Sequence, residues 1–298
     1  NAACECDLCR AAFREWLKKK YKTLDNLNHS WWTPFWSHTF SDWEEIDAID
    51  VSICSMRVDF HRFKSEQVMD FYKAEVAALK AITPDIPVTT NFMEGPFYDL
   101  DFWKWAPELD VASWDAYPQY HEPAVDNRAL AIHFSLHHDL FRSLKGGKPF
   151  ILMESCPGPT NWGVINRQLR PGVHRMKSLQ AIAHGSGTVC YFQLRKGRGA
   201  SEKFHGAVID HSENPEGRMF REIAELSKDL KKLEGVVGCH TPAKVAIMYD
   251  WNSRWALDAS AGPSDHCKQY FATVKKHYEY FWQNGIPVDM VGPESDLS

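Results

Sequence analysis

The sequence predicts an α/β protein: the C-terminal half of an eight-stranded parallel (β/α)8 barrel, followed by the start of a second α/β domain. Three observations carry that reading. From residue 65 onward, apolar runs of strand length alternate with segments of helical period. The four strand-like runs between 87 and 193 are punctuated by polar residues at their ends, and no Gly-rich dinucleotide fingerprint opens any helix, which favours a barrel over a doubly wound open sheet. After Gly235 the alternation restarts as strand, helix, strand, a new βαβ unit.

In chain order, Phe13, Trp16, Leu17, Tyr21, Leu24 and Leu27 recur at helical spacing, with Arg10, Arg14, Glu15, Lys18 and Lys19 on the opposite face, so an amphipathic helix of several turns opens the chain. Residues 31–43 are dense in aromatics around Pro34 and have no clean period, and read as an ordered loop or short helices. Residues 65–82 are helical, with Val68, Phe71, Tyr72, Val76 and Leu79 on one side, and stop before Pro84. Strands are expected at 87–92 and at 111–117, the second halted by Pro118. Asp126 can cap a helix that runs to Gly146-Gly147 and leads into a strand at 150–154. Pro171 suits the first turn of the next helix, which ends near Gly185, and 188–193 is the fourth strand. A helix at about 216–234 closes this part. Strands at 244–249 and 286–291 then flank a helix near 267–283, so the expected division is a barrel portion over 1–238 and a second domain from 239 to 298.

The bulk numbers narrow the function. At 298 residues and 44% hydrophobic content the chain can bury a real core. The net charge of -5 is spread without a basic block, which argues against nucleic acid and anionic membranes as partners. No apolar stretch reaches the roughly 20 residues that span a bilayer. The first residues have neither an initiator Met nor a signal-peptide pattern, so the sequence reads as the interior of a larger protein, expected in the cytoplasm.

The chemistry gathers at Glu154. It closes the run Phe150-Ile151-Leu152-Met153-Glu154 and is followed at once by Ser155-Cys156-Pro157-Gly158-Pro159-Thr160-Asn161-Trp162, a carboxylate where a buried strand meets a Pro/Gly loop. Parallel barrels keep their catalytic acids at such strand ends, which here hold Asn91, Asp115, Tyr117 and Glu154, with the loop after Gln193. Trp162 offers an aromatic face to the same mouth, a pairing suited to sugar cleavage; an ion-paired strand-terminal Glu is the alternative. In the loop 195–206 the Walker spacing is absent, but Glu202 and His205 could clamp neighbouring hydroxyls of one sugar ring, or form a solvated pair. Glycoside cleavage needs a second carboxylate, for which Glu94, Asp115, Glu202 and a residue before Asn1 all stand open. Cys4-x-Cys6-x-x-Cys9 can wrap three sulfurs around one structural zinc ion that needs a fourth ligand, a disulfide framework being the alternative. Cys54, Cys156, Cys190, Cys239 and Cys267 look like ordinary free thiols.

Cys4-Glu-Cys-Asp-Leu-Cys9-Arg-Ala-Ala-Phe-Arg-Glu-Trp-Leu, the stretch from Leu27 to Phe35-Trp36-Ser37, Met153-Glu154-Ser-Cys-Pro-Gly-Pro-Thr-Asn-Trp162 and Glu202-Lys-Phe-His205-Gly resemble the β-galactosidases of glycoside hydrolase family 42. The resemblance covers essentially the whole chain. It implies a (β/α)8 barrel followed by a flavodoxin-like trimerisation domain, retaining hydrolysis of terminal β-D-galactosides, a homotrimer at full length, structural zinc and no organic cofactor. Carried over, Glu154 matches the nucleophile, and Trp162 and Phe192 match galactose-packing aromatics. Glu202 with His205 match the pair that binds ring hydroxyls, and Trp36 matches a Trp lent by a neighbouring subunit; Tyr117, read from its strand-end position, is expected to bind substrate as well. Cys4, Cys6 and Cys9 match three of four zinc cysteines. The family's acid/base Glu, in an Asn-Glu motif, and its fourth cysteine are expected upstream of Asn1. Ser155-Cys156 stands where many relatives carry Gln-Ser.

Overall fold

The structure, a computed structural model, describes residues 4–94, 100–120, 122, 124–212, 216–236, 238–239, 241–262, 264 and 266–296. Its elements run α1 (Asp7–Tyr21), α2 (Leu24–Trp31), α3 (Cys54–Lys80), α4 (Phe102–Trp105), β1 (Ser113–Ala116), α5 (Asn127–Leu144), β2 (Phe150–Ser155), α6 (Val173–Ala183), β3 (Ser186–Val189), α7 (Arg218–Lys232), β4 (Val245–Met248), α8 (Trp251–Ala259), α9 (Tyr270–Gln283) and β5 (Val288–Val291). They form two compact units. One is built on α1–α4 and α8, the other on β1–β5, α5, α6, α7 and most of α9.

In the first unit the expected opening helix is two. α1 ends at Lys22 in positive φ, and the Thr23 hydroxyl accepts from Asn26 N–H to start α2, so a local cap breaks a periodicity that runs through both. Phe13 and Leu17 of α1, Leu27 and Trp31 of α2 and Met56, Phe60 and Phe63 of α3 make the core, joined by Ile46 and Ile53. Buried Asp59 sits inside it and is satisfied four ways: Lys20, Tyr21 OH at 2.6 Å, Trp31 Nε1 at 3.0 Å and Arg62 at 2.9 Å. α3 starts eleven residues before the predicted 65, because its first turns bury Met56 and Phe60 in this core. The 31–43 stretch is loop with short 3-10 turns at Phe35–Ser37 and Trp43–Glu45. α8, capped by Asp250, was not anticipated.

The second unit carries a parallel sheet in the order β1-β2-β3, each strand beside its predecessor as in a barrel wall. The expected strand at 87–92 is reduced to a single parallel bridge between Phe92 and Trp114. Its residues still run along β1, but hydroxyls replace part of the ladder: Thr89 Oγ1 donates to the Val111 carbonyl (2.5 Å) and Ser113 Oγ to the Thr90 carbonyl (2.9 Å). The fourth strand begins and ends earlier than predicted, although Cys190 N–H to Leu152 O and Phe192 N–H to Ser155 O continue the pairing past Val189. Trp114 is fully buried and stacks on Phe141 of α5 with centroids 5.3 Å apart at 4°, so this Trp is core packing. β4 and β5 form a separate parallel pair around α9. Arg142 of α5 ties β5 down, donating to Asp289 at 2.7 Å and to the Val288 carbonyl at 2.8 Å.

Candidate active site

β1 and β2 are in register at Asp115 and Glu154, so both carboxyls leave the sheet at its C-terminal edge. Tyr117, two residues beyond Asp115, donates its OH to Glu154 Oε2. Burial, and then that hydrogen bond to a carboxylate, push the phenol far above its ordinary value, so it stays a donor. Among the described residues only Tyr117 hydrogen-bonds the Glu154 carboxylate, which leaves Oε1 for chemistry.

Asp115 is 2% exposed and accepts from Asn91 Nδ2 at 2.6 Å. Burial raises its carboxyl to about 7; the Asn91 hydrogen bond opposes that rise and the charge of Glu154 adds to it. Asp115 is thus buried beside Glu154 and held by Asn91. The other internal options for a second carboxylate are placed no better. Glu94 is held by His133 of α5 at 2.9 Å, and Glu202 is exposed. Burial pushes Glu94 up, but the His133 hydrogen bond with the charges of His137, His133 and Lys275 reverses the sign and holds it below the usual carboxylate range.

His205 is completely buried at the same mouth, inside a box of three rings: Phe192 at 5.0 Å, Trp162 at 5.2 Å and Tyr117 at 5.8 Å between centroids. Trp162 also meets Tyr117 edge-on at 5.0 Å. These residues come from three chain segments, and each was singled out in the sequence. Glu202 and His205 share one turn, His205 N–H donating to the Glu202 carbonyl at 2.9 Å, but only the imidazole is buried. Trp36 lies in the first unit, 72% exposed and stacked on Phe35 at 4.8 Å.

The loop after Glu154 is pinned by residues that sequence reasoning passed over. Lys177 of α6, buried, donates to the Cys156 carbonyl, and burial brings its amine down to about 8. It lies on a stripe of His174, Lys177, Ser178 and Ala181, which is too polar for hydrophobic periodicity to reveal. Cys156, taken from the sequence as an ordinary thiol, has its sulfur 3.6 Å from His205 Nδ1. Its signal was chemical: it is the departure from the family's usual Gln-Ser. The loop also touches backbone to backbone, for a Cβ built on Gly206 would lie 2.5 Å from Gly158 Cα and 2.8 Å from Cys156 Sγ. Gly206→Ala is therefore expected to lower stability by about 1–3 kcal/mol, read as a fall in Tm; an unchanged Tm would show that the contact has room to give.

In the first unit the Cys4, Cys6 and Cys9 sulfurs lie within 4.8 Å of one another. The Cys9 N–H, then the Cys4 thiol, bring Cys6 down to about 7, while the side chains of Cys4 and Cys6 push Cys9 up to about 12, so the three thiols share their protons. Tetrahedral zinc at about 2.3 Å from each sulfur sets them roughly 3.8 Å apart, so the triad fits the ion.

Residues 1–233 match the family described as β-galactosidase, glycoside hydrolase family 42, and residues 243–298 match the β-galactosidase trimerisation domain. The chain belongs to glycoside hydrolase family 42. The β-galactosidase GanA of Bacillus subtilis is 47% identical over 99% of this chain, and BglY of Alicyclobacillus acidocaldarius is 47% identical over the same share. The chain spans 45% and 43% of those relatives. Among solved structures, the cold-adapted β-galactosidase from Rahnella sp. R3 superposes with a TM-score of 0.95 at 46% identity, covering 100% of this chain and 44% of that one. The β-galactosidase from Bacillus circulans sp. alkalophilus gives 0.92 at 45% identity, covering 100% and 44%. The fold is thus the family's: part of a (β/α)8 barrel, followed by the start of the trimerisation domain. Among the described residues, no helix is long and apolar enough to cross a membrane.

Proposed function

We propose that this chain is part of a retaining β-galactosidase that releases terminal β-D-galactose by double displacement, with Glu154 as the nucleophile. The observation that carries the reading is the Glu154 carboxylate at a barrel strand end, held through Oε2 by Tyr117 beside the Trp162–Phe192–His205 box. Glu154 Oε1 attacks the anomeric carbon, the glycosidic C–O bond breaks, and the departing oxygen takes a proton from the acid/base residue. Water, deprotonated by the same residue, then cleaves the galactosyl ester and returns Glu154 as a carboxylate. Following the family resemblance, we place that acid/base Glu upstream of residue 1; the pairing of Glu94 with His133 and the burial of Asp115 agree with this.

In this reading Trp162 and Phe192 pack against the sugar, His205 and Glu202 take ring hydroxyls, Tyr117 orients the nucleophile, and Trp36 reaches the site of a neighbouring subunit in a homotrimer. The barrel portion runs over 1–238 and the trimerisation portion over 239–298. A cytoplasmic setting is part of this reading. The test is hydrolysis by the full-length enzyme of nitrophenyl β-galactoside against the β-glucoside, β-xyloside and α-arabinoside. Galactoside should be preferred; preference for another sugar would reassign the specificity, and binding without turnover would make this a sugar-binding module.

Cys4, Cys6 and Cys9 would hold one zinc ion with a fourth ligand from upstream. The ion would supply a cross-link and take no part in bond cleavage. Elemental analysis of full-length protein should give about one zinc per chain, and chelation should lower Tm before turnover at low temperature changes. Metal-free protein with reduced, titratable thiols and unaltered Tm would remove zinc from the account.

A further inference from the structure

The Nδ1 edge of His205 faces two groups of fixed polarity. The Gly206 carbonyl oxygen lies 3.1 Å away and can only accept. The Cys156 sulfur lies 3.6 Å away, and its S–H is committed to the Pro159 carbonyl at 3.2 Å, so sulfur turns lone pairs toward the imidazole. The proton of a neutral ring therefore belongs on Nδ1. Burial pulls the imidazole below its ordinary value, so at neutral pH the ring carries one proton. Nε2 is then a bare lone pair. It is buried, with no hydrogen-bond partner among the described residues, inside the box of Tyr117, Trp162 and Phe192.

We propose that Cys156 is a positioning residue: with the Gly206 carbonyl it holds His205 in the Nδ1–H form, so that Nε2 accepts a hydrogen bond from a substrate hydroxyl and cannot donate one. This rests on the reading of the mouth as a galactoside site and adds a polarity to it. The hydroxyl that meets His205 must arrive as a donor. Cys156 also closes the space behind the ring, since its sulfur packs on Gly206, whose amide donates to the same Pro159 carbonyl at 2.8 Å.

A fluorine in place of a hydroxyl can accept weakly but cannot donate, so paired deoxy and deoxyfluoro galactoses read the polarity directly. Their binding to full-length Glu154→Gln enzyme would be measured calorimetrically, which keeps fluorine's effect on the reaction out of the result. The hydroxyl facing His205 is the one whose deletion is non-additive with His205→Ala. At that position both analogues should bind about tenfold or more weakly than galactose. A fluoro sugar that recovers most of the affinity lost by its deoxy partner would show an Nε2–H donor and overturn the assignment.

Cys156→Ala should let the ring sample the other tautomer. The expected results are a narrower gap between galactose and the fluoro sugar, and a raised KM with kcat little changed in the otherwise unmodified enzyme. Cys156→Ser, whose hydroxyl can also donate to Pro159, should restore both. An unaltered analogue pattern and KM in Cys156→Ala would remove Cys156 from the role. Failure of galactose itself to bind would instead sink the galactoside reading, and this inference with it.

Discussion

Glu154→Gln in the full-length enzyme should lower turnover of nitrophenyl β-galactoside by roughly 10⁴-fold or more while leaving galactose binding nearly intact. The amide is isosteric with the carboxylate, and its oxygen can still accept from Tyr117. The box around His205 is untouched, so what disappears is the attacking oxygen anion. In Glu154→Ala, where the truncated side chain opens the space of that attack, azide should restore turnover and yield an α-glycosyl azide, because it strikes the face Glu154 would have used. Tyr117→Phe makes the contrast. It leaves the nucleophile and removes only the donor that orients it, so its loss should be much smaller than that of Glu154→Gln. Near-normal activity in Glu154→Gln would take Glu154 out of the mechanism, whatever the similarity of the chain to its relatives.

Glu154, Tyr117, Trp162, Phe192 and His205, which the fold brings together, could be singled out as candidates because each belongs to a local pattern: a strand end, a Pro/Gly loop, or a motif shared with the family. The groups that hold them are not local. Lys177 reaches the Cys156 carbonyl from a helix whose buried stripe is polar, and Gly206 meets Gly158 from a separate loop. Nothing in the spacing of either residue announces its partner. The fold shows the same division. Strands β1, buried along its whole length, and β2, which opens on the apolar run Phe150–Met153, fell close to prediction. The 87–92 strand dissolved into side-chain hydrogen bonds, because Thr89 and Ser113 satisfy backbone carbonyls with hydroxyls that a period-2 pattern does not register. The break between α1 and α2 was missed for a related reason: Thr23 caps α2 in the middle of an apolar stripe that passes through both helices.

Asp115→Asn should change the pH dependence of stability between pH 4 and 8. In the folded chain the carboxyl titrates at about 7, against an ordinary value of 3.8, with burial the first cause and the charge of Glu154 a further one. The folded state therefore holds this proton more tightly than the unfolded state does. Below about pH 4 both states are protonated and Asp115 costs nothing. Between pH 4 and 7 the unfolded chain releases the proton first, so stability falls as pH rises, and above 7 the full cost, on the order of 4 kcal/mol, is present. One oxygen of Asp115 is buried without a hydrogen-bond partner among the described residues, so the anion has little to offset its desolvation. Asn cannot ionise, and its side-chain oxygen can still accept from Asn91. Urea unfolding midpoints of the two proteins should accordingly lie close together at pH 4 and separate toward pH 8, with Asp115→Asn the more stable at the alkaline end. Curves that stay parallel across this range would mean that Asp115 ionises in the folded protein as it does in the unfolded one, and that the pocket beside Glu154 is wetter and less restrictive than its geometry implies.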